Sequence, residues 1–357
     1  MTRSIGAGSG GGGSKTVFDG TAEVSPTSTA GTLQYGVRDA VAVEYNGKAY
    51  VRFGTAPSGS ATPIFYEFDP SDGSTTQLAN GIKARSNYGA ARVGSEIYVF
   101  GDTEDSSELQ AEVYDIDADS WSEVATPFSE ALYTGTRAVE LNGQILVAGA
   151  TSASANRAFL YDPENDSWDT SVDDSFNEIT GGSAVKVPGE TVDTAYVMDT
   201  AGQLFTFDGL SGWSIVDTSI SPGESSAVYD GSHIWYIGGV DDSQSAVKKV
   251  VKFDPETETT TEPAQLSSGL ANAPAVMLDG EIHLFGGGIS TTSDTVLKYA
   301  GRSTVATGEG ALYALGANDS GAELINTDTG ERGGVVMGRE GDGISLSKNG
   351  YVQVYKV

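Results

Sequence analysis

Two histidines, His233 and His283, are the only imidazoles in a chain of 357 residues, and there is no cysteine. Imidazole is the side chain that ordinarily titrates near neutral pH, so these two are the first candidates for acid–base or metal chemistry. Such chemistry needs them to converge, and nothing in their spacing predicts it. Both are read as packed or partly exposed strand residues. The missing cysteines exclude disulfides, thiolate metal sites and thiol nucleophiles. "DIDADS" places Asp115, Asp117 and Asp119 at alternate positions, like the start of a calcium loop. A helix–loop–helix calcium loop wants glycine at its sixth position and glutamate at its twelfth. Here Ser120 and Thr126 stand there. "DPSDGS" and "DPENDS" occupy the same turn elsewhere, so the acidic turn reads first as architecture. The three aspartates remain weak calcium candidates. No cofactor is expected, and no glycine-rich stretch carries the lysine of a phosphate loop.

Recognition is the chemistry left. Tyr35, Tyr88 and Tyr133 each shortly precede a glycine, and Arg38, Arg85 and Arg137 lie in or beside the same segments. Asn87 shares one of those segments, and Asn177 and Asn272 lie in the equivalent segments "DSFNEITGG" and "SSGLANAP" of other units. Tyrosine and arginine anchor many recognition surfaces. These nine residues are the binding-loop candidates. The plainer alternative is that the tyrosines pack internally and the arginines neutralise nearby acids.

Short apolar strands and tight turns must position them. "AVEYNGKAYVRFG" turns at Gly47, and the pattern returns at Gly94, Gly143, Gly189, Gly231, Gly280 and Gly350. The spacings are 47, 49, 46, 42, 49 and 70 residues. A period of this size marks a propeller or another repeat array. Most of these turns are Asn-Gly or Asp-Gly, which favour the positive φ of a tight hairpin. A second motif follows each turn, as in "FYEFDPSDGST", "EVYDIDADSWSEV" and "FLYDPENDSWDT". It supplies an aromatic residue, an aspartate and a polar turn, with Trp121, Trp168 and Trp213 beyond it in three units. Two hairpins make a four-stranded blade.

The order of apolar strand, turn, apolar strand, diglycine, Tyr-Asp and Trp resembles the Kelch repeat over about residues 36–301. Gly238-Gly239 and Gly286-Gly287 match its diglycine, while Gly54, Gly101 and Gly149 lack the second glycine. The resemblance implies an all-β, Kelch-like β-propeller. Some propellers of this kind resemble copper oxidases built on a cysteine-modified tyrosine, which this chain cannot make. "TVFDGTAEVSP" near the start reads like the outer half of a blade, and "GISLSKNGYVQVYKV" at the end like an inner half. The reading is therefore seven blades, the last closed by N- and C-terminal strands, with eight or six as alternatives. Residues 1–14 form a flexible Gly-rich arm or a linker added for expression. The propeller spans 15–357, and 302–340 is an insertion or an extra compact blade. A separate C-terminal β-domain beside six blades is the third option.

Forty-nine acids against twenty bases give a net charge of −29. That charge repels nucleic acid and anionic membranes. Spread over many turns, it suits molar salt, where the Debye length falls to about 3 Å. The expectation is a non-enzymatic recognition and assembly module, a virion surface or tail component for host attachment in a virus of halophilic archaea. Its partners would be other virion or scaffold proteins, with a host surface protein or glycan as a further possibility, and no membrane insertion. The oligomeric state is open. The N-terminus shows no secretory signal or anchor, so a cytoplasmic scaffold is the alternative, followed by a glycan-active propeller enzyme. Paired carboxylates about 5–9 Å apart would be needed for that last reading.

Overall fold

The computed structural model describes residues 27–101, 110–126, 135–152, 155–172, 182–220 and 223–299, together with six strands between 303 and 356. Every regular element among them is a strand, and no helix is long and apolar enough to cross a membrane. The chain divides into two compact units, Thr29–Lys298 and a second unit formed by Met1–Ser28 with Tyr299–Val357.

The first unit is a six-bladed propeller. Strand β1 (Thr27–Val37) comes first and is used last. Blade 1 then follows with β2 (Val41–Tyr45), β3 (Lys48–Arg52), β4 (Phe65–Asp69) and β5 (Ser74–Gln77). Blade 2 is β6 (Gly89–Val93), β7 (Glu96–Phe100), β8 (Ala111–Asp115) and β9 (Ser120–Val124). Blade 3 is β10 (Arg137–Leu141), β11 (Gln144–Ser152), β12 (Ala155–Asp162) and β13 (Ser167–Asp169). Blade 4 is β14 (Ser183–Val187), β15 (Thr194–Met198), β16 (Gln203–Phe207) and β17 (Trp213–Ser219). Blade 5 is β18 (Ser226–Tyr229), β19 (Ile234–Ile237), β20 (Val250–Asp254) and β21 (Thr259–Thr261). Blade 6 has β22 (Ala275–Leu278), β23 (Glu281–Phe285) and β24 (Ser293–Tyr299), with β1 as its outer strand.

This corrects the expectation of seven blades closed by both termini. Residues 275–299 already supply three strands of the last blade, and the missing outer one is β1. The segment "TSTAGTLQYGV" reads as a loop from its Thr, Ser and Gly content. In the fold it is a strand, and Leu33 and Val37 are buried against Phe68, Val276 and Phe285. Residues 15–24, expected in the closing blade, lie outside the described residues. The C-terminal strands belong to the second unit. There β25 (Ser303–Ala306), β26 (Leu312–Asn318), β27 (Gly321–Asn326) and β28 (Arg332–Val335) form an antiparallel sheet. Strands β29 (Asp342–Leu346) and β30 (Val352–Lys356) form a two-stranded antiparallel pair.

The hairpin chemistry is local. Asn46-Gly47, Asn142-Gly143 and Asp279-Gly280 each hold both turn residues at positive φ. This is the mirror-image turn whose twist matches the flanking strands. The second strands β3, β7, β15 and β23 share one burial pattern, a half-buried first residue and four buried ones. A strand so enclosed is covered on both faces, which is why these segments read as continuous apolar runs. Fourth strands such as β5 and β21 are largely exposed and polar.

Apolar clusters lie between consecutive blades: blades 6 and 1, 1 and 2, 2 and 3, 3 and 4, and 4 and 5. Directional bonds cross the same seams. Trp121 Nε1 donates to the Ala79 carbonyl at 2.8 Å, Trp168 to Ala125 at 2.9 Å, and Trp213 to Val172 at 3.1 Å. In each case the acceptor belongs to the preceding blade. The matched diglycines permit close backbone approach. A Cβ on Gly238 would sit 2.2 Å from the Leu270 carbonyl oxygen, and one on Gly286 would sit 2.4 Å from that of Val37.

A fully buried charge cluster joins blades 1 and 2. Glu112 Oε1 accepts from Arg52 Nη2 at 3.1 Å and from Arg85 Nε at 3.0 Å. Its other oxygen accepts from the backbone N–H groups of Ile82 and Lys83. Arg52 also donates to the Thr62 carbonyl at 3.0 Å and lies over the Trp121 ring, 5.3 Å from its centroid. Removing one partner of such a cluster leaves uncompensated buried charge. Glu112→Gln is expected to lower the unfolding free energy by about 3–5 kcal/mol, measured by urea denaturation at high salt. A loss below about 1 kcal/mol would mean that the cluster does not hold these blades together.

Candidate functional site

Counting back seven or eight residues from the turn glycines of blades 1, 2, 3, 5 and 6 reaches Asp39, Asn87, Gly135, Glu224 and Asn272. All five have positive φ. In blade 4, Gly182 just before β14 has φ of 63°. Each blade thus enters its first strand through a left-handed residue. The reason is visible in the backbone bonds. Asp39 N–H donates to Asn272 O at 3.1 Å, Asn87 N–H to Asp39 O at 3.2 Å, and Gly135 N–H to Asn87 O at 2.7 Å. Along blades 6, 1, 2 and 3, each bend bonds to the bend before it. Asn, Asp and Gly tolerate this conformation best. Glu224, with φ of 54°, is the departure from that preference.

The first strands β2, β6, β10, β14, β18 and β22 neighbour one another around the axis. Their entries surround one open cavity of about 150 Å³. Asp39, Asn87, Arg137, Ser183, Glu224 and Asn272 line it, with small residues such as Gly89 and Ala138 between them. Arg137 is the central cation. Its Nε donates to the Gly182 carbonyl at 2.7 Å, Nη1 to the Thr136 carbonyl at 2.8 Å, and Nη2 to Asn87 Oδ1 at 2.9 Å. Burial pushes the guanidinium down to about 10, against the attraction of Glu224 and Asp39. Asp39 has a direct partner, because its Oδ2 accepts from Arg38 Nη1 at 2.8 Å and from Thr55 Oγ1 at 3.0 Å.

Four binding-loop candidates therefore border the cavity: Asn87, Tyr88, Arg137 and Asn272. Arg38 stands beside them through Asp39. Arg85 is fully buried in the Glu112 cluster, and Tyr88 is buried with its hydroxyl donating to the carbonyls of Arg52 and Phe53. Tyr35 lies half-exposed on β1, a strand and not a loop. Tyr133 and Asn177 fall outside the described residues. Sequence reading missed Asp39, Ser183 and Glu224. The count from the turn glycine would have found Asp39 and Glu224, but Ser183 carries no such signal.

The aspartates of the outer turns cap backbone. Asp115 Oδ1 accepts from the N–H groups of Asp117 and Ala118, and Asp162 and Asp254 do the same in their blades. Asp119 Oδ1 accepts from Tyr114 Oη at 2.7 Å and from Ala79 N–H of blade 1 at 2.8 Å. No group of three or more His, Asp or Glu side chains among the described residues is placed to hold a metal ion.

No protein-family model matches this chain, and no curated protein does. Among solved structures, that of YjhT is similar, with a TM-score of 0.61 over 83% of this chain and 99% of that one. Identity is 14%, so the likeness speaks for the fold alone. Fold, repeat and superposition together define a six-bladed β-propeller.

The histidines lie in different blades. His233 sits at the blade-5 turn, its N–H donating to Asp230 Oδ1. His283 is buried on β23, with Nδ1 3.2 Å from the Glu281 carbonyl oxygen and its ring beside Phe68. Burial lowers its pKa below the ordinary value of about 6.5. The unfolded chain therefore binds the proton more readily. Stability from the neutral ring is present above the unfolded pKa and is lost as pH falls from there through the folded value. His283→Asn is expected to flatten this part of the stability profile between about pH 7 and pH 5, read by urea midpoints across that range. An unchanged slope would assign the dependence to other groups.

Proposed function

We propose that this chain is a non-enzymatic recognition and assembly module, carried on the surface or tail of a virus of halophilic archaea. The observation that carries recognition is the axial cavity, where six strand entries hold polar side chains on a rigid frame. Function commonly sits on such loop ends. The Kelch-like features, Gly238-Gly239, Gly286-Gly287 and the Tyr-Asp and Trp positions, support the same reading, since Kelch-like propellers commonly bind proteins or glycans. The net charge of −29 supports a high-salt setting, and the Gly-rich stretch at residues 6–14 suits a tether. Its partners would be other virion proteins and a protein or glycan of the host surface.

Mass spectrometry of purified particles and cell fractions from the source culture tests the location. Peptides enriched in intact particles are the expected result. Peptides confined to the cytoplasmic fraction would overturn it and leave an intracellular scaffold. Sugar release from glycans by the purified protein at high salt would overturn the non-enzymatic part.

A further inference from the structure

Two charges face the axial cavity without touching each other or any other opposite charge among the described residues. One is Arg137, whose three hydrogen bonds all go to neutral acceptors. A guanidinium has five N–H donors in a planar fork, so two remain for a ligand. The other is Glu224, half-buried, whose carboxylate makes no hydrogen bond or ion-pair contact among the described residues and attracts Arg137 through space. The remaining acid of the cavity, Asp39, is already neutralised by Arg38. Ser183 adds an unpartnered group. It is 8% exposed, and its hydroxyl has no hydrogen-bond partner among the described residues. A buried hydroxyl left unmatched costs free energy that a ligand's polar atom would recover.

The backbone at Glu224 points the same way. Asp, Asn or Gly occupies the corresponding left-handed position in the other blades, and glutamate gains none of their local hydrogen bonding there. Such backbone occurs at ligand sites and also in turns, where Gln244 and Glu258 adopt it in this chain.

We infer that the axial cavity receives a small zwitterionic head group. Its carboxylate takes the free N–H donors of Arg137, its ammonium faces Glu224, and Ser183 completes the polar contacts. An isolated anion would satisfy Arg137 but sit beside the like charge of Glu224, which attracts Arg137 only through space. An isolated cation would meet the reverse. A group carrying both charges answers both. Size agrees: about 150 Å³ is room for about five waters at roughly 30 Å³ each, enough for an α-amino-acid head group. The inference rests on the reading of the axial cavity as the recognition site and names the chemistry it selects.

Ligand-observed NMR titration of the full chain, in the salt that keeps it folded, tests this with glycine, acetate and methylammonium as probes. Glycine is expected to bind, with acetate and methylammonium each weaker by about tenfold or more, the loss of one charge-assisted hydrogen-bonded group. Glu224→Gln is expected to weaken glycine by about tenfold while leaving acetate no weaker, because the like-charge penalty is gone. Arg137→Lys removes the fork and is expected to weaken glycine and acetate together. That variant also loses bonds to Gly182 and Asn87. Glu224→Gln, which gives up no internal hydrogen bond, is therefore the deciding one. Acetate binding as tightly as glycine, glycine binding unchanged in Glu224→Gln, or no glycine binding at all would each overturn the inference. If particles still carry the chain in that case, the recognition module stands without this ligand class. If glycine binds but particles lack the chain, the virion reading fails and the ligand class stands.

Discussion

A sheet with apolar residues on both faces must be covered on both faces, and in a row of such sheets the end members stay bare. The propeller resolves this by bending the row into a ring. Strands β3, β7, β15 and β23 are buried along almost their whole length because another blade lies on each side. The ring needs its last blade to be complete, or an open strand edge and an uncovered apolar face remain. Strand β1 meets that need. It adds the outer strand beside β24 and buries Leu33 and Val37 between blades 6 and 1. A chain segment from the start of the propeller is thereby tied to its end, and closure does not rest on side-chain packing alone.

Apolar burial is non-directional, so it does not by itself fix how one blade is rotated against the next. Polar contacts crossing the seams supply that precision. The tryptophans of blades 2, 3 and 4 each reach one carbonyl of the blade before. Glu112 collects two arginines and two backbone N–H groups between blades 1 and 2. The left-handed bends at Asp39, Asn87, Gly135 and Asn272 bond to one another around the axis. The outcome is a frame whose centre is held by the backbone, leaving Arg137 and Glu224 to face the cavity.

The acidic surface and the axial site have different electrostatics. Many outer acids sit in turns, where Asp69, Asp162 and Asp254 accept hydrogen bonds from a nearby side chain (the hydroxyls of Ser71 and Thr257, the amide of Asn165) and from backbone N–H groups, which lower their pKa. They keep their charge while serving as turn caps, and salt screens them from one another. At the axis, solvation is poorer and few charges are present, so each one counts for more. Among the described residues, Arg137 and the Glu224 carboxylate, with Asp39 held by Arg38, set the character of that cavity against an otherwise strongly negative chain.

The sequence by itself determined the local units. The 42–49-residue period, the Asn-Gly and Asp-Gly turns and the Tyr-Asp and Trp positions are visible because each depends on neighbours a few residues away: turn geometry, side-chain alternation and local capping. Asn87, Arg137 and Asn272 were legible as candidates from their residue types and loop positions. Tertiary structure decided the rest. Six blades replaced seven because the outer strand of blade 6 comes from Thr27–Val37, a pairing between segments more than 250 residues apart that no local pattern encodes. Arg85 and Arg137 look alike in the sequence, yet one is buried against Glu112 from another blade and the other lines the axial cavity. Glu224 and Ser183 join the candidate site only because ring closure brings blades 4 and 5 around the same axis as blade 3. Local chemistry sets what each blade is, and the closing of the ring sets which side chains share a site.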